Sequence, residues 1–244
     1  MQNVVCCSGG KDSVCSVIML HKYHPELQLL ILISEVMFSL EDGISGENPE
    51  HIMWIKQVMI PTFESWGYSC KIIRAEGKDY LSEFHHIVTG AKKYPEHNGR
   101  PYGFPICDKG RCMIKRDLKI RPMERFLKNL REPYIQYLGI AVDEPMRLKS
   151  LADNQRSILA DIGITEQEAW NICRQWDLLS PVYRYSYRQG CFMCANAKRE
   201  EQAYVKRYMP DVWKRFVGLE KNKDICYDKW SLFGTSLAER DAEI

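Results

Sequence analysis

Apolar and polar positions in the first part of the chain follow two alternating patterns. Residues 3–7 form a short apolar run that is partly β-branched, and residues 13–23 carry apolar side chains at helical spacing. Residues 27–34 are again almost wholly apolar, which is typical of a strand covered on both faces in a parallel sheet. The order of strand, helix and strand predicts a βαβ unit and therefore an α/β fold.

The chain continues with further elements of the same kinds. Asn48 and Pro49 indicate the start of a helix that runs toward Trp66, because Asn caps helices and Pro is favoured at their first position. We also predict a loop at 35–48, strands at 68–74 and 134–140, and a helix at 79–89. The expected architecture is a Rossmann-like parallel sheet flanked by helices.

The middle of the chain has a different character. Several prolines and glycines interrupt residues 92–111, which predicts a long functional loop or a boundary. A helix is expected from about Met113, with Pro122 ending or bending it. Basic residues outnumber acidic ones over 109–131, which indicates either a solvated helix face or an anion-binding face.

The last third is predicted to be mainly helical. Thr165 and Glu168 form a capping box that starts an amphipathic helix. Residues 196–219 predict two helices separated near Pro210, with four aromatic side chains packing on the core, namely Tyr204, Tyr208, Trp213 and Phe216. We therefore expect an α/β domain at 1–150 and a helical C-terminal region at 151–244 that packs on it.

Composition narrows the class of protein. The chain of 244 residues is 45% hydrophobic and 27% charged, as in globular proteins, and its net charge of +2 argues neither for nor against nucleic acid. No apolar run of about 18 residues and no signal sequence is present, so we expect a cytoplasmic protein with no membrane partner. Ten cysteines are more than packing needs in that compartment, and some are expected to hold a metal.

The junction between the first strand and the first helix has the composition of a phosphate-binding turn. Gly9 and Gly10 permit positive φ and close backbone approach, and the start of the helix attracts anions. Lys11 adds a positive charge, Asp12 can hold a turn or Mg²⁺, and hydroxyls come from Ser8 and Ser13. A plain helix start capped by Ser8 or Asp12 is the alternative, but the Lys-Asp-Ser sequence and the preceding strand favour phosphate.

Two pairs of cysteines have metal-ligand spacing. Cys191 and Cys194 form a Cys-x-x-Cys knuckle, and Cys107 and Cys112 lie in the interrupted segment with four residues between them. Four thiolates suit structural zinc, and three or four suit a [4Fe–4S] cluster. The spacing leaves both open, together with a redox dithiol. The remaining cysteines have the character of packing residues: Cys6, Cys7, Cys15, Cys70, Cys173 and Cys226.

The sequence Ser-Gly-Gly-Lys-Asp-Ser at 8–13 resembles the PP-loop of the ATP pyrophosphatase superfamily. It differs from the P-loop, in which four residues separate the first glycine from Gly-Lys-Ser/Thr. The superfamily includes ATP sulfurylase small subunits, PAPS reductases, tRNA thiolation enzymes and amidotransferase synthetase domains. The resemblance implies a HUP-type nucleotide-binding domain that binds ATP with Mg²⁺, with chemistry usually at the α-phosphate.

A fuller resemblance, over residues 1–220, is to PAPS reductase-family proteins of bacteria and their phages. It is carried by the loop, by Ser45-Gly46-Glu47, Gly103-Phe104-Pro105 and Arg116 to Ile120, and by the segments 139–147 and 190–196. It implies nucleotide phosphates at Ser8, Gly9, Gly10, Lys11, Asp12 and Ser13, and further polar contacts from Lys119, Asp143, Glu144 and Arg147. It also implies a cluster or zinc at Cys112, Cys191 and Cys194, with Cys107 as the fourth ligand.

The expected activity is ATP-dependent adenylation of a substrate with release of pyrophosphate, for sulfur transfer or thiolation. Lys11, Asp12, Lys119 and Asp143 are the expected catalytic residues. Sulfonucleotide reduction is a second hypothesis, although PAPS reductases carry a Glu-Cys-Gly-like motif and this tail offers only Cys226. A non-catalytic nucleotide-binding component with structural zinc is a third. A nucleic acid and a small molecule both stay open as the acceptor, and so does a homodimer.

Overall fold

The computed structural model describes residues 1–108, 111–188, 190–231 and 235–244. Lys109 and Gly110, in the predicted basic and loop segments, lie outside the described residues. Within the described ranges, no helix combines the length and the apolar character that crossing a bilayer requires. The strands are β1 Gln2–Cys6, β2 Leu29–Ser34, β3 Met37–Ser39, β4 Ile44–Ser45, β5 Ser69–Ile73, β6 Cys107–Asp108, β7 Arg111–Cys112, β8 Tyr134–Leu138 and β9 Gln155–Arg156.

Helices connect most of these strands. They are α1 Lys11–Tyr23, α2 Pro49–Trp54, α3 Ile60–Ser65, α4 Tyr80–His85, α5 Arg121–Lys128, α6 Pro145–Leu148, α7 Ile158–Asp161, α8 Glu166–Gln175, α9 Arg199–Tyr208, α10 Pro210–Gly218 and α11 Leu237–Glu243. Two segments have π-helical hydrogen bonding, Ile55–Met59 between α2 and α3 and Lys115–Ile120 before α5. Short 3₁₀ helices occur at Pro95–His97, Pro181–Arg184 and Leu219–Lys221.

The described residues divide into two compact units, each assembled from three separated segments. The first unit contains Met1–Ser34, Glu50–Ile73 and Met123–Gln189, and the second contains Glu35–Pro49, Arg74–Pro122 and Gly190–Ile244. The chain therefore passes from one unit to the other several times, and the segment Met123–Gln189 spans residue 150, where the sequence suggests a domain boundary.

The first unit is built on a parallel sheet. Among the described residues this sheet has five strands in the order β5-β2-β1-β8-β9, and every neighbouring pair is parallel. Val5 is in register with Ile31 on one side and with Tyr137 on the other, so β1 is central. The predicted α/β class and the strands expected near 3–7, 27–34, 68–74 and 134–140 are confirmed.

Alternation along β1 explains how the sheet is covered on both faces. Val5 belongs to a large apolar cluster with α1, whereas Val4 belongs to a second cluster that contains Leu127 of α5. Both valines are fully buried. Successive side chains of a strand point to opposite faces, so two adjacent valines supply one residue to each core.

The second unit has an aromatic core and little sheet. The hairpin of β3 and β4 and the hairpin of β6 and β7 are antiparallel. Phe38 of β3 packs on Phe192, with ring centroids 5.4 Å apart, and Phe192 packs edge-on against Phe216 of α10 at 5.8 Å. All three rings are buried, and such offset and edge contacts are the arrangements that aromatic pairs prefer.

Three detailed predictions are wrong. Residues 35–48 contain the β3–β4 hairpin rather than only a loop, because Asp42 and Gly43 form a turn between short apolar strands. The helix expected after Met113 does not end at Pro122, because this proline stands in the first turn of α5 directly after a π segment and so interrupts no α-helical ladder. Tyr208 is 57% exposed, because α9 turns Val205 to the core instead.

Candidate functional site

The turn after β1 joins the centre of the parallel sheet to the start of α1. Gly9 has a φ of +76°, and Gly10 is the N-cap of α1 with extended backbone angles. No side chain caps this helix at its N-cap position, so neither Ser8 nor Asp12 has the capping role of the alternative interpretation. The turn lies at the carboxyl end of β1, the edge at which ligands bind in open α/β sheets.

Glycine is required in this turn for steric reasons as well as for its φ. A Cβ atom on Gly9 would lie 2.8 Å from His51 Cε1 and 2.8 Å from Ile55 Cδ1. A Cβ atom on Gly139, just after β8, would lie 2.5 Å from the Ser13 backbone nitrogen. These distances are too short for real contacts, so the two glycines let the π segment and the end of β8 approach the loop closely.

The hydroxyl groups of the loop stabilise the turn itself. Ser13 Oγ donates to the Gly10 carbonyl oxygen at 2.9 Å and accepts from the Ser8 backbone N–H at 3.2 Å. The Gly10 N–H reaches Ser8 Oγ at 3.4 Å. The loop is therefore preorganised by its own serines, as a rigid anion-binding turn requires.

The Lys11 ammonium group is held by two carboxylates. Its Nζ atom lies 2.8 Å from Asp12 Oδ1 and 2.7 Å from Glu166 Oε1 at the start of α8. Burial lowers the pKa of Lys11, but its hydrogen bonds and ion pairs with Asp12 and Glu166 outweigh burial, and the pKa is raised overall. Burial has the larger effect on the Asp12 carboxyl and raises its pKa despite the contact with Lys11.

The backbone of Lys11 also has partners from the segment that follows α7. Its N–H donates to the Tyr183 hydroxyl at 3.0 Å, and its carbonyl oxygen accepts from Cys173 Sγ at 3.1 Å. Burial raises the pKa of Tyr183 to about 12, so the phenol is neutral and its oxygen can accept. Sequence reasoning missed Glu166, Cys173 and Tyr183, because nothing local links them to residue 11.

The buried imidazole of His51 contacts the glycine turn through a hydrogen bond. It is 1% exposed, with Nε2 at 3.1 Å from the Ser8 carbonyl oxygen and Nδ1 at 2.8 Å from Ser180 Oγ. No role for His51 was predicted from the sequence. A signal was present, since His51 is a polar residue on the same helix face as Trp54 and Ile55, which are buried.

The acidic residues after β8 bind backbone groups. Asp143 Oδ1 accepts from the Glu166 N–H at 3.1 Å, and Glu144 Oε2 accepts from the Ala141 N–H at 3.2 Å. Arg147 pairs with Glu144. These contacts fix the chain where it leaves the sheet and enters α8, and Asp12, Glu144 and Glu166 are close enough for their charges to interact. A nucleotide contact by Asp143, Glu144 or Arg147 stays a prediction.

The second unit brings together the four cysteines expected to bind metal. Cys107 and Cys112 face each other across the β6–β7 hairpin. Interactions with the Cys112 and Cys194 thiols raise the pKa of Cys107, and Cys191 interacts electrostatically with Cys112 and Cys194. We call these four residues the cysteine cluster. Sequence spacing predicted this grouping although the two pairs are far apart in the chain.

Backbone contacts place the knuckle of the cysteine cluster. Cys191 forms an isolated antiparallel bridge with Glu47, and the Phe192 N–H donates to the Gly46 carbonyl oxygen at 3.0 Å. A Cβ atom on Gly46 would lie 2.5 Å from Met193 Cε, so a larger residue would force the Met193 side chain to move. The Ser45-Gly46-Glu47 segment is thus a structural support for the cysteines.

Hydrogen bonding differentiates the cysteines. The Cys112 sulfur accepts from the Lys115 N–H at 3.4 Å, and the Cys107 sulfur accepts from Asn196 Nδ2 at 3.5 Å. The contact with the Cys107 thiol and the backbone N–H groups lower the pKa of Cys112, whereas the pKa of Cys107 is raised by its thiol partners and by burial. N–H groups aimed at sulfur favour the thiolate form that metals bind.

Lys119 lies beside the cysteine cluster rather than in an open position. Its Nζ atom is 2.6 Å from Glu47 Oε1, and the side chains are 26% and 5% exposed, respectively. Glu47 Oε1 also accepts from the Val36 N–H at 3.3 Å. Burial lowers the pKa of Lys119, but the charges of Glu47, Cys191 and Cys112 outweigh burial and raise it overall. A catalytic role for Lys119 stays a prediction.

A metal centre is not formed by the side chains as they stand. Within the described ranges, no group of three or more His, Cys, Asp or Glu side chains is arranged to hold a metal ion. All four cysteines of the cluster are free thiols. A metal would replace the thiol protons, because its ligands are thiolates. The donor set therefore fits zinc or an iron–sulfur cluster in its chemistry, and metal binding stays a prediction.

Cys226 has the properties of a packing thiol. Its Sγ atom lies 3.5 Å from the His97 carbonyl oxygen, and burial raises its pKa. A catalytic thiol needs a lowered pKa and positive surroundings.

Comparison with known proteins gives no family assignment: the chain matches no protein-family model, and a search of the curated proteins finds no significant match.

Proposed function

We propose that the chain is an ATP-dependent enzyme of the PP-loop type that adenylates a substrate and releases pyrophosphate, ahead of a sulfur-transfer or thiolation step. One observation carries the proposal: a glycine turn at the carboxyl end of the central strand holds the Lys11 ammonium beside the start of α1. Lysine charge, helix dipole and backbone N–H groups then all act on one small volume, which suits a polyphosphate.

The proposed reaction is attack of a substrate oxygen on the α-phosphorus. The new P–O bond forms as the bond to the β-phosphate oxygen breaks, and the electron pair leaves with pyrophosphate. Lys11 and the first N–H groups of α1 would neutralise charge on the phosphates, and their fixed positions reduce the reorganisation needed. Bound Mg²⁺ would neutralise further charge, with Asp12 as a ligand of suitable chemistry.

The HUP-type identity of the sheet and the roles of Asp143, Glu144, Arg147 and Lys119 belong to this proposal. So does a metal at the cysteine cluster, for which the convergence of Cys107, Cys112, Cys191 and Cys194 is the support. Zinc would supply structural cross-linking, and an iron–sulfur cluster with three cysteine ligands would supply an open iron for sulfur. The properties of Cys226 argue against sulfonucleotide reduction.

Nucleotide binding and pyrophosphate release test the proposal. Calorimetry with ATP and Mg²⁺ should give one binding event in the protein as purified, and an enzyme-coupled assay should detect pyrophosphate when candidate acceptors are present. Lys11→Ala should weaken ATP binding at least tenfold, because the phosphates lose a partly buried cation. Lys22→Ala is the matched control, since Lys22 is an exposed lysine of the same helix.

The possible outcomes separate the hypotheses. Equal ATP affinity in wild type and Lys11→Ala, or no ATP binding at all, overturns the proposal. Tight ATP binding with no pyrophosphate from any tested acceptor favours the non-catalytic component. Turnover of PAPS or APS that is lost in Cys226→Ser favours the reductase.

A further inference from the structure

All three polar groups of Lys11 are bonded to one later segment of the chain. Its N–H donates to Tyr183, its carbonyl oxygen accepts from Cys173, and its ammonium pairs with Glu166. These partners lie between residues 166 and 183 and belong to the same compact unit as the loop. The later segment therefore fixes both the backbone and the side chain of the residue that would bind phosphate.

The contacts of Glu166 and Tyr183 are of the kind that phosphate oxygens make. A carboxylate oxygen and a phenol oxygen each accept from Lys11, at 2.7 and 3.0 Å. Phosphate oxygens also accept hydrogen bonds from ammonium groups and from N–H groups at the start of a helix, so they would use the same donors of Lys11. A polyphosphate can take full advantage of Lys11 only after these two acceptors give way.

The exposed fraction of each side chain indicates which acceptor can leave Lys11 with little loss of stability. The Glu166 side chain is 50% exposed, whereas that of Lys11 is 15% exposed. Glu166 can rotate into water without breaking the core, and an ion pair with a half-exposed partner is weak. The Asp12 side chain is only 20% exposed, so of the two carboxylates that contact Lys11, Glu166 is the one that can move into water more easily.

We propose that Glu166, assisted by Tyr183, is a positioning residue that holds Lys11 in the ligand-free loop and competes with polyphosphate for it. This inference rests on the proposed function, because it describes how the same loop responds to its ligand. Glu166 preorganises the lysine and at the same time lowers the affinity for phosphate. The competition concerns phosphate groups only, and it is independent of the nucleoside.

Binding measurements with three ligands test the competition. Glu166→Gln removes the charge and keeps the size, so ATP and inorganic tripolyphosphate should each bind about threefold more tightly, the ratio expected for a half-exposed ion pair. Adenosine should bind with unchanged affinity. With turnover, the gain should appear in KM and leave kcat unchanged. Tyr183→Phe, which removes one competing acceptor, should change tripolyphosphate affinity in the same direction.

The matched control lies two residues away. Glu168→Gln removes a carboxylate from the same helix turn, and glutamine retains the capping box with Thr165. Its affinities should equal those of wild type. An equal gain in Glu168→Gln would indicate a general charge effect and overturn the inference. Unchanged or weaker tripolyphosphate binding in Glu166→Gln also overturns it, and weaker binding would identify the carboxylate as a group that assists the ligand.

A measurement without ligand separates this inference from the proposed function. Acylation of Lys11 by a limiting amount of anhydride, read by peptide mass spectrometry, should be about threefold faster in Glu166→Gln than in wild type, because the amine loses a partner. Equal rates overturn the inference whatever ATP does. If no variant binds ATP or tripolyphosphate, the proposed function and the competition both fall, and a faster rate then supports only the holding role of Glu166.

Discussion

The imidazole of His51 donates from Nε2 to the carbonyl oxygen of Ser8, 3.1 Å away. A carbonyl oxygen only accepts, so Nε2 carries a proton, and in the neutral ring Nδ1 accepts from the Ser180 hydroxyl at 2.8 Å. One buried side chain thus links the glycine turn after β1 to the segment near Pro181, and its tautomer is determined by its neighbours.

We expect His51→Phe to destabilise the protein by about 1–3 kcal/mol, because the buried Ser180 hydroxyl and the Ser8 carbonyl oxygen both lose a hydrogen-bond partner. Its ATP affinity should fall as the turn loosens. His51→Gln offers an amide N–H in place of Nε2 and should recover part of both losses. Urea denaturation and calorimetry measure the two effects, and equal losses in the two variants would show that ring packing, not the donor, matters.

Substitutions at Gly9 and Gly163 distinguish the cost of a positive φ from the cost of steric overlap. Gly9→Ala should cost about 3 kcal/mol and abolish ATP binding, because the new methyl group overlaps His51 and Ile55 in addition to the positive φ. Gly163 has the same φ of +76° with no atom within 4 Å of an added Cβ. Gly163→Ala should therefore cost only about 1 kcal/mol and leave ATP binding intact. Similar losses of stability and of ATP binding in both variants would contradict a steric overlap at Gly9.

Stability should depend on Cys7 at alkaline pH. Burial raises the pKa of this thiol from 9.0 to about 11 in the folded protein. As pH rises, the unfolded chain thus loses this proton first. The contribution of the protonated thiol to the free energy of unfolding is therefore fully present below pH 9 and is lost as pH rises through 11. The wild type should lose about 2–3 kcal/mol more than Cys7→Ala across that range, as measured by urea denaturation. Val17→Ala also shortens a buried side chain but keeps the Cys7 thiol, so its loss of stability between pH 9 and 11 should equal that of wild type.

The buried pair of Lys119 and Glu47 should respond strongly to loss of one charge. Lys119→Met should cost about 3 kcal/mol, because Glu47 is left buried without its cation. Adding Glu47→Gln should restore part of the loss, which chemical denaturation of the single and double variants would show. Lys115→Met, at an exposed lysine of the same π segment, should be nearly neutral. Additive effects in the double variant would contradict the pairing.

Metal content tests the cysteine cluster. Protein purified without oxygen should contain zinc, or iron with broad absorbance near about 400 nm, and Cys191→Ser or Cys194→Ser should lose most of it. Cys70→Ser, in the other compact unit, should retain it. Elemental analysis and a visible spectrum give the answer, and full metal content in both cluster variants would rule this site out.

Local sequence pattern was sufficient for β1, β2, β5 and β8 and for the glycine turn, whereas the short edge strand β9 was not predicted. Apolar runs such as Leu29–Ser34 have few alternatives to a buried strand, and glycines before a helix restrict the turn strongly. The spacing of the two cysteine pairs also indicated partners across a long stretch of chain, and metal binding by these cysteines stays a prediction.

The partners of the loop were not accessible in this way. Glu166 and Tyr183 meet Lys11 only because α8 and the following segment fold back on α1, and such tertiary contacts leave no local pattern. The π segment at Lys115–Ile120 is a second feature that local sequence pattern did not predict. A single proline predicted a helix end or bend, yet the helical hydrogen bonds before it change from α to π spacing and the helix continues.

The position of β1 between β2 and β8 has a consequence for synthesis on the ribosome. Strand β1 can pair with β2 soon after both have been translated, but its other edge stays unpaired until Tyr134–Leu138 have been translated. Until then a nascent chain presents an open edge that contains Val4 and Val5, the kind of template on which strands of other chains assemble. Chaperone protection should therefore matter most for chains stalled before β8.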